Sequence, residues 1–411
     1  MSSGIGVPDQ NQGYTMKTNF SIVWKMLMHN PAFALHTAHS FGKMYKSNII
    51  DRKFRKGTTK ELALVYFRIT PLCNLRCLMC NQRGVSGVLK GAYAAQESKK
   101  LVPIERYFKL VDELKKDNPM YYIWGGEPFL YPNFMDFAEY ITKQKCMLSV
   151  NTNGTYLEQN AERIVKNKWH ALFVSLDGFR DVNDKIRGDG SYDRVIAGFK
   201  AINEMKKKYK SHLPYMGIVT TVSNMNYMYL DQLTAAMKEF NLAWHIINLG
   251  TYTNSTIIEK QRKYMKEHLD CDIRCLEGFN TGFNEGIDGH KFSEILKKVH
   301  ALKPGYPIIT VPVLNPEKTT EYYADLEKVV RHECRVPWCQ VNFDYNGDVH
   351  FCADYPDYVI GNIMQSDFKS IWNGERAQKF RNELKNAPEG IFPGCLRCYQ
   401  NMLFGKKVKG Y

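Results

Sequence analysis

The sequence has no long apolar segment, and this absence argues against a membrane-spanning helix. A helix that crosses a bilayer needs about 20 consecutive apolar residues, and no part of the 411-residue chain forms such a run. Residues 1–14 are polar and contain glycine, without the basic and then apolar segments of a secretory signal peptide. We therefore expect a cytoplasmic protein.

Two nucleotide-binding signatures are also absent. The chain has no Gly-x4-Gly-Lys-Ser/Thr loop, and no Gly-x-Gly-x2-Gly segment joins a predicted strand to a helix. Both motifs use glycines to bring backbone N–H groups against phosphates. Nucleotide hydrolysis and nicotinamide chemistry therefore lack support in this sequence.

A disulfide framework is not expected either, although the chain contains 11 cysteines. Their number is odd, and they occur in short clusters rather than at even spacing. Because disulfides are rare in proteins that are not secreted, clustered cysteines here favour metal binding.

Acidic residues are outnumbered, since 42 Asp and Glu face 56 Lys and Arg and the net charge is +14. Residues 1–60 hold nine Lys or Arg against two Asp, which is half of that excess. A basic balance favours an anionic partner: an acidic peptide, a phosphorylated molecule or a membrane surface. We expect no nucleic-acid partner.

Residues 16–47 have a helical pattern that is interrupted at Asn30 and Pro31. One apolar stripe recurs at helical spacing and consists of Phe20, Val23, Trp24, Leu27 and Met28. The segment either packs on the rest of the protein or makes peripheral contact with an anionic membrane through this stripe and its lysines. Periodicity leaves both interpretations open.

Residues 71–80 read Pro-Leu-Cys-Asn-Leu-Arg-Cys-Leu-Met-Cys and follow an apolar run, 62–69, that predicts a strand. Cys73, Cys77 and Cys80 thus have C-x3-C-x2-C spacing. A four-iron cluster normally takes four thiolates, so three would leave one iron open to a substrate or cofactor, as in catalytic metal sites. A zinc knuckle is the alternative, but no second C-x2-C half lies nearby.

From residue 62 to about 250, predicted strands and helices alternate. The strands are Leu62–Ile69, Met120–Trp124, Met147–Asn151, Ala171–Leu176, Tyr215–Val222 and Trp244–Leu249, and the helices lie at about 103–117, 133–145, 158–167, 192–209 and 228–240. Six such repeats predict a parallel sheet with helices outside it and catalytic groups at the carboxyl ends of the strands.

Polar and glycine-containing motifs follow several of these strands. Trp-Gly-Gly-Glu-Pro occupies 124–128, Asn-Thr-Asn-Gly occupies 151–154 and Ser-Leu-Asp-Gly occupies 175–178, with Arg187 and Gly188 in a predicted loop beyond them. Paired glycines let a ligand approach the backbone, and Glu127 offers a carboxylate to a cation.

The cysteine loop and the ordered motifs of residues 62–250 resemble the radical S-adenosylmethionine (radical SAM) enzymes, whose core is a partial (β/α)6 barrel. The resemblance implies a 4Fe–4S cluster on Cys73, Cys77 and Cys80, with S-adenosylmethionine bound at its open iron. It also implies a set of residues that contact S-adenosylmethionine: Met79, Gly125, Gly126, Glu127, Asn153, Ser175 and Arg187.

A second group of cysteines lies near the C-terminus. Cys334 and Cys339 flank Arg-Val-Pro-Trp, Tyr-Asn-Gly-Asp at 345–348 predicts a β-hairpin before Cys352, and Cys395 and Cys398 follow a predicted helix at about 367–386. Four thiolates from two separate segments of the chain can bind zinc as well as an iron–sulfur cluster.

This C-terminal region resembles the twitch or SPASM extension of radical SAM enzymes, which carries auxiliary four-iron clusters. The resemblance implies one auxiliary 4Fe–4S cluster on Cys334, Cys352, Cys395 and Cys398, with Cys339 as a substitute ligand. The full SPASM form has more cysteines than this region provides, so we expect a single cluster here.

Four units are expected: a basic helical N-terminal extension (1–60), the radical SAM barrel (61–251), a helical segment that covers the substrate (252–330) and the auxiliary cluster domain (331–411). In the third unit, helical patterns occupy about 255–270 and 290–303, and residues 308–313 are a candidate strand. Cys271 and Cys275 lie there at helical spacing, and we interpret them as ordinary thiols, since no other ligand is close in sequence.

The resemblance implies an oxidoreductase or maturase that cleaves S-adenosylmethionine and abstracts hydrogen from a peptide or small molecule. The auxiliary cluster would transfer an electron or ligate the substrate, and a donor of the flavodoxin or ferredoxin type would supply electrons. Two alternatives remain: a modifier of a membrane lipid or isoprenoid, and a zinc-stabilised binding protein without catalysis.

Overall fold

A computed structural model describes residues 31–411. Its main feature is a ten-stranded sheet in the order β11-β10-β9-β1-β2-β3-β4-β5-β6-β7, with β8 and β12 in a separate pair. The strands are β1 (Leu64–Arg68), β2 (Met120–Trp124), β3 (Met147–Thr152), β4 (Ala171–Ser175), β5 (Tyr215–Thr221), β6 (Trp244–Asn248), β7 (Ile308–Val311), β8 (Arg331–His332), β9 (Gln340–Asp344), β10 (Asp348–His350), β11 (Gly361–Asn362) and β12 (Lys406–Lys407).

Helices connect and flank these strands. They span Pro31–Lys46, Arg52–Phe54, Gly91–Glu97, Ile104–Leu114, Phe134–Lys143, Leu157–Lys166, Arg180–Arg187, Ser191–Lys208, Leu230–Ala236, Ser255–Leu269, Gly289–Ala301, Thr319–Ala324, Phe368–Trp372, Glu375–Asn386 and Tyr399–Phe404. No helix within residues 31–411 is long and apolar enough to cross a membrane.

The predicted parallel barrel is confirmed, because β1 to β6 pair in chain order and all pairs are parallel. The candidate strand at 308–313 is also present as β7, parallel to β6. The apolar stripe at 20–28 lies outside the described residues, whereas the helix Pro31–Lys46 falls within the predicted helical segment.

Two predicted elements differ in the structure. Arg187 ends a helix, Arg180–Arg187, rather than lying in a loop. The single helix predicted at 367–386 is interrupted at Asn373 and Gly374, because the Asn373 side chain accepts from Thr59 N–H (3.0 Å) and donates to Thr59 C=O (2.9 Å). A tertiary contact that spans more than 300 residues has no local sequence signal.

The C-terminal hairpin is confirmed, and it is joined to the barrel in a way that the sequence did not predict. Strands β9 and β10 pair antiparallel around Tyr345 to Gly347, and β9 also pairs in parallel with β1, with Arg68 opposite Asp344. The two side chains form a buried, two-pronged ion pair. The auxiliary region is therefore an extension of the barrel sheet.

Alternate residues of β1 point to the two sides of the sheet, as strand geometry requires. On the helix side, Phe67 is fully buried and contacts the rings of Tyr107, Phe137 and Phe343 at 5.3–5.4 Å. On the inner side, an aromatic row runs across the barrel with ring separations of 4.7, 5.5 and 4.8 Å, formed by Tyr66, Tyr122, Phe173 and Trp244. Aromatic packing thus fills part of the barrel interior.

Candidate active site

The cysteine loop follows β1 directly and is fixed by backbone hydrogen bonds. Cys80 N–H donates to Cys77 C=O (3.0 Å), and Leu78 N–H donates to Ile186 C=O (2.9 Å), which ties the loop to the helix Arg180–Arg187. Cys73, Cys77 and Cys80 are all residues of intermediate exposure in this loop. Three potential ligands are therefore held on one short, anchored segment.

The surroundings of Cys73 and Cys77 fit a metal cluster better than a free nucleophile. Burial raises the pKa of Cys77 to about 12, against the opposing effect of the Arg187 guanidinium, and burial also raises the pKa of Cys73. A thiol in such surroundings stays protonated unless a bound metal stabilises its thiolate.

The paired glycines after β2 have a structural role that the sequence interpretation missed. A Cβ atom on Gly126 would lie 1.9 Å from Leu72 O, and one on Gly125 would lie 2.7 Å from Thr70 O. The two segments are also hydrogen-bonded, since Gly126 N–H donates to Thr70 C=O (2.8 Å) and Glu127 N–H donates to Leu72 C=O (2.7 Å). The space that we assigned to a ligand at Gly126 is occupied by the backbone of the cysteine loop.

Glu127 is fully buried and links the ends of β2 and β3. Its carboxylate accepts hydrogen bonds from Thr152 Oγ1 (2.8 Å), Asn153 N–H (2.8 Å) and Phe129 N–H (3.4 Å). Burial raises its pKa to about 7, while these three donors act in the opposite direction. The carboxylate therefore already has partners within the chain.

Asn153 connects the end of β3 to the cysteine loop. Its Nδ2 donates to Asn74 Oδ1 (2.8 Å) and lies 3.8 Å from Cys73 Sγ. Its Oδ1 accepts from Thr155 Oγ1 (2.7 Å), which fixes the orientation of the amide. Asn74 and Thr155, which also bond each other at 2.9 Å, were not among the predicted site residues.

Arg187 approaches the cysteine loop from the other side. Its Nη1 lies 3.8 Å from Cys77 Sγ, and its Nε lies 2.7 Å from Oδ2 of the fully buried Asp177. Asp177 Oδ1 in turn accepts from Thr221 N–H (2.8 Å). The Ser-Leu-Asp-Gly motif thus supplies the partner of Arg187, a role that sequence reasoning missed because it selected Ser175.

The predicted site residues lie at one edge of the sheet. Contacts join the cysteine loop to Gly126, Glu127, Asn153 and Arg187, as described above. Met79 belongs to the loop itself, and Ser175 ends β4; both side chains are half-buried. An arginine from a helix end, and an amide and a glycine pair from the turns after β3 and β2, therefore contact the cysteine loop.

The segment after β6 covers the far part of this loop. A Cβ atom on Gly278 would lie 2.4 Å from Asn81 O, Arg274 Nη2 donates to Val88 C=O (3.0 Å), and Ser86 Oγ donates to Asn280 C=O (2.9 Å). Cys275 N–H in the same segment donates to the Asp357 carboxylate (3.1 Å). The segment thus bridges the two cysteine regions.

Four C-terminal cysteines form a second buried group. Cys334, Cys395 and Cys398 belong to the main core, with Cys352 packed against it. Burial raises the pKa of Cys352 well above its usual value, and the neighbouring Cys395 and Cys334 raise it further. A small cavity lies beside Cys352 and Cys395, lined also by Ile273, Tyr355 and Phe392.

Cys339 lies apart from that group. It packs with Met44, Ala63 and Leu64, and its thiol donates to Val336 C=O (3.7 Å). The turn Val336–Trp338 separates it from Cys334, so the two cysteines belong to different clusters of the core.

The arrangement of these side chains bears on the choice between zinc and an iron–sulfur cluster. Within the described part of the chain, no three His, Cys, Asp or Glu side chains converge closely enough to hold a single metal ion. Structural zinc needs four ligands around one ion, whereas each cysteine of a four-iron cluster binds its own iron. A four-iron cluster therefore accepts thiols that lie further apart than the ligands of one zinc ion.

The barrel fold and the three-cysteine loop define a class of enzymes that use an iron–sulfur cluster at a strand-end site. The model of the radical SAM superfamily matches residues 67–229, and that of the SPASM iron–sulfur cluster-binding domain matches residues 334–399. The chain belongs to the radical SAM superfamily and carries a C-terminal SPASM domain. Its cofactors are a 4Fe–4S cluster with S-adenosylmethionine and an auxiliary iron–sulfur cluster.

Curated relatives and solved structures agree with this assignment. The chain is 22% identical to pre-heme d1 synthase of Dinoroseobacter shibae over 87% of this chain and 83% of that protein. It is 28% identical to AdoMet-dependent heme synthase of Methanosarcina barkeri over 86% and 93%. The fold is similar to that of Streptococcus suis SuiB bound to the precursor peptide SuiA, with a TM-score of 0.54, 16% identity and coverage of 84% and 71%.

Proposed function

We propose that Cys73, Cys77 and Cys80 hold the catalytic cluster and that the enzyme abstracts hydrogen from a peptide or small molecule. A cluster on these three cysteines would supply the electron for reductive cleavage of S-adenosylmethionine, which is the chemistry that hydrogen abstraction requires. The observation that carries this proposal is the anchored cysteine loop with Asn153 and Arg187 at its thiols.

The chain's own residues have separable tasks in this proposal. Gly125 and Gly126 let the loop after β2 dock against the cysteine loop, and Glu127 locks that loop to β3. The guanidinium of Arg187, held by Asp177, favours the thiolate form of Cys77. We assign contacts with S-adenosylmethionine to Met79, Asn153, Ser175 and Arg187, and to the backbone of the Gly125–Glu127 turn on the side that the cysteine loop does not occupy.

We assign a single auxiliary cluster to Cys334, Cys352, Cys395 and Cys398, with Cys339 outside the ligand set. Their common burial supports this choice, as does the separate packing of Cys339. The cluster would transfer an electron or ligate the substrate, and a flavodoxin or ferredoxin would reduce the protein. The contacts of Arg274 and Gly278 with Val88 and Asn81, just after the cysteine loop, support residues 252–330 as the substrate cover.

The substrate class is proposed from relatives and from one surface feature. One relative is named as a heme synthase, and SuiB binds a precursor peptide, which supports a small molecule or a peptide as the substrate.

A second candidate for the substrate is a membrane lipid or isoprenoid. The observation that favours it is a basic N-terminal helix with exposed apolar side chains, which also supports peripheral contact with an anionic membrane.

Iron content tests the two-cluster assignment. Protein purified without oxygen should contain about eight irons, because two four-iron clusters are bound by cysteine thiolates. The triple change Cys73→Ala, Cys77→Ala and Cys80→Ala should leave about four, and Cys339→Ala should leave about eight. Chemical iron and sulfide analysis measures these values. About four irons in reconstituted unmutated protein would contradict the presence of an auxiliary cluster. Loss of iron from Cys339→Ala would contradict the exclusion of Cys339 from the ligands of that cluster.

The auxiliary site should be separable from cleavage of S-adenosylmethionine. The double variant Cys395→Ala and Cys398→Ala should still form 5′-deoxyadenosine under a strong reductant, at about a tenth of the normal rate or more, because the cysteine loop after β1 is unchanged. Chromatographic quantification of 5′-deoxyadenosine measures the rate.

Removal of a metal site can unfold its surroundings, so circular dichroism should first establish that the double variant is folded. The variant Cys271→Ala, with a buried cysteine outside both sets, is the control and should keep full activity. Folded double variant without any 5′-deoxyadenosine formation would contradict the separation of the two sites.

A further inference from the structure

The N-terminal helix exposes an unusual concentration of large apolar side chains. In residues 31–411, twelve large hydrophobic side chains are exposed, and six of them lie within residues 35–54. This N-terminal apolar face consists of Leu35 (66% exposed), Phe41 (57%), Tyr45 (70%), Ile49 (42%), Ile50 (40%) and Phe54 (71%). Contiguous exposed apolar surface marks interaction sites.

The inner side of the same segment is mostly polar. Ser40, Ser47 and Asp51 are 0–2% exposed, and the Asp51 carboxylate accepts hydrogen bonds from Thr59 Oγ1 and Lys60 N–H, both at 2.8 Å. Ala34 and Met44 are buried apolar residues of the helix, and Met44 packs with Ala63 and Leu64. Since a helix on a globular core normally buries its apolar stripe, this helix has its apolar face turned outward.

The charges around the face select an anionic partner. Lys53, Lys56 and Lys60 are exposed, Lys46 is exposed but paired with Glu61 (2.5 Å), and Asp51, the acidic residue of 31–60, is buried and bound to Arg55, Thr59 and Lys60. Two copies of this surface would bring like charges together, which disfavours self-association. The sequence of residues 16–30, which lie outside the described part of the chain, also combines basic and apolar residues, among them Lys17, Trp24 and Lys25.

We propose that residues 31–60 form a docking surface for an anionic lipid bilayer. The N-terminal apolar face enters the head-group region, and the surrounding lysines contact lipid phosphates or carboxylates. The segment is anchored to the rest of the protein through Met44, which packs with Ala63 and Leu64, and through Thr59, whose Oγ1 donates to Trp338 C=O (2.7 Å). Docking would therefore hold the enzyme at the bilayer surface, whatever substrate it uses.

Vesicle sedimentation of the full-length protein tests this surface. Wild-type protein should sediment with phosphatidylcholine vesicles that contain phosphatidylglycerol, remain in the supernatant with phosphatidylcholine alone, and be released by high salt. The quadruple variant Leu35→Gln, Tyr45→Ser, Ile49→Gln and Phe54→Gln should bind at least about tenfold more weakly, because it removes most of the inserted apolar area.

A matched control changes exposed apolar side chains elsewhere on the protein. Tyr229→Ser with Met364→Gln should bind vesicles like wild type, since these side chains are 45% and 52% exposed and do not belong to the N-terminal apolar face. Wild-type protein that stays in the supernatant with anionic vesicles would overturn the proposal, as would equal binding by the quadruple variant. A wild-type dimer that the quadruple variant converts to monomer, seen by light scattering, would assign the face to self-association instead.

The two proposals can fail independently. The quadruple variant should form 5′-deoxyadenosine at the wild-type rate, since none of its four positions belongs to the candidate active site. The variant Cys77→Ala should bind anionic vesicles like wild type, because the docking surface does not include the cysteine loop. Loss of vesicle binding in Cys77→Ala would contradict a surface confined to residues 31–60.

Discussion

Replacing Cys77 by alanine should reduce the formation of 5′-deoxyadenosine from S-adenosylmethionine below detection, at least about a thousandfold. The loop offers three thiolates, and its cluster needs all of them because the fourth iron is left for S-adenosylmethionine. Cys77 is also the thiol that Arg187 contacts at 3.8 Å, so the change removes both a ligand and a contact of that guanidinium, which Asp177 continues to hold. Anaerobic incubation with dithionite, followed by chromatography, measures the product.

The control for this variant is Cys146→Ala. Cys146 is 1% exposed in the core beside β3 and belongs to neither cysteine group. Its replacement should cost about 1 kcal/mol of stability or less and leave product formation intact. Turnover by folded Cys77→Ala at a rate near wild type would show that this loop does not hold the catalytic cluster.

The substitution Gly126→Ala should have the second largest effect. Its Cβ atom would lie 1.9 Å from Leu72 O and 2.4 Å from Leu72 C, and backbone atoms cannot move aside as a flexible side chain can. The cysteine loop must shift, so we expect loss of most iron from the catalytic cluster and a cost of about 1–3 kcal/mol in the free energy of unfolding. Iron analysis and urea unfolding measure the two effects.

Gly42→Ala is the matched control, because a Cβ atom there meets nothing within 4 Å and the residue lies in the helix Pro31–Lys46. Alanine is a better helix former than glycine by about 1 kcal/mol, so this variant should be equally or more stable with full iron content. A Gly126→Ala protein with normal iron and normal activity would refute the packing role of Gly126.

Local patterns explain why much of the barrel could be predicted. Strands β1 to β6 are short apolar runs with helical patterns between them, and such periodicities depend only on neighbouring residues. The pairing of β9 with β1 joins positions about 276 residues apart, and a hairpin signal at 345–348 describes only the local partner of β9. The sequence therefore predicted a hairpin but no continuous sheet.

The parts of the candidate site that depend on the spacing of residues in the sequence were predictable. The parts that depend on tertiary packing were less so. Cysteine spacing pointed to two separate groups, but the choice between Cys334 and Cys339 depends on which side of a short turn each thiol faces. The partner of Arg187 was hidden for a similar reason, because Asp177 and Ser175 share one motif and only the three-dimensional approach of the helix Arg180–Arg187 distinguishes them. Likewise, the sequence alone does not show that the apolar face of the N-terminal helix points outward, because this direction depends on how the helix packs against the barrel.

The continuity of β9 with β1 limits how the C-terminal region can act as a module. An enzyme shortened after residue 330 would leave β1 as a bare edge, with unsatisfied backbone groups and the buried Arg68 without its carboxylate partner. Exchange of this region between relatives would therefore require a matching first strand as well as matching cysteines. The auxiliary cluster region and strand β1, which leads into the catalytic cysteine loop, would therefore have to be inherited together.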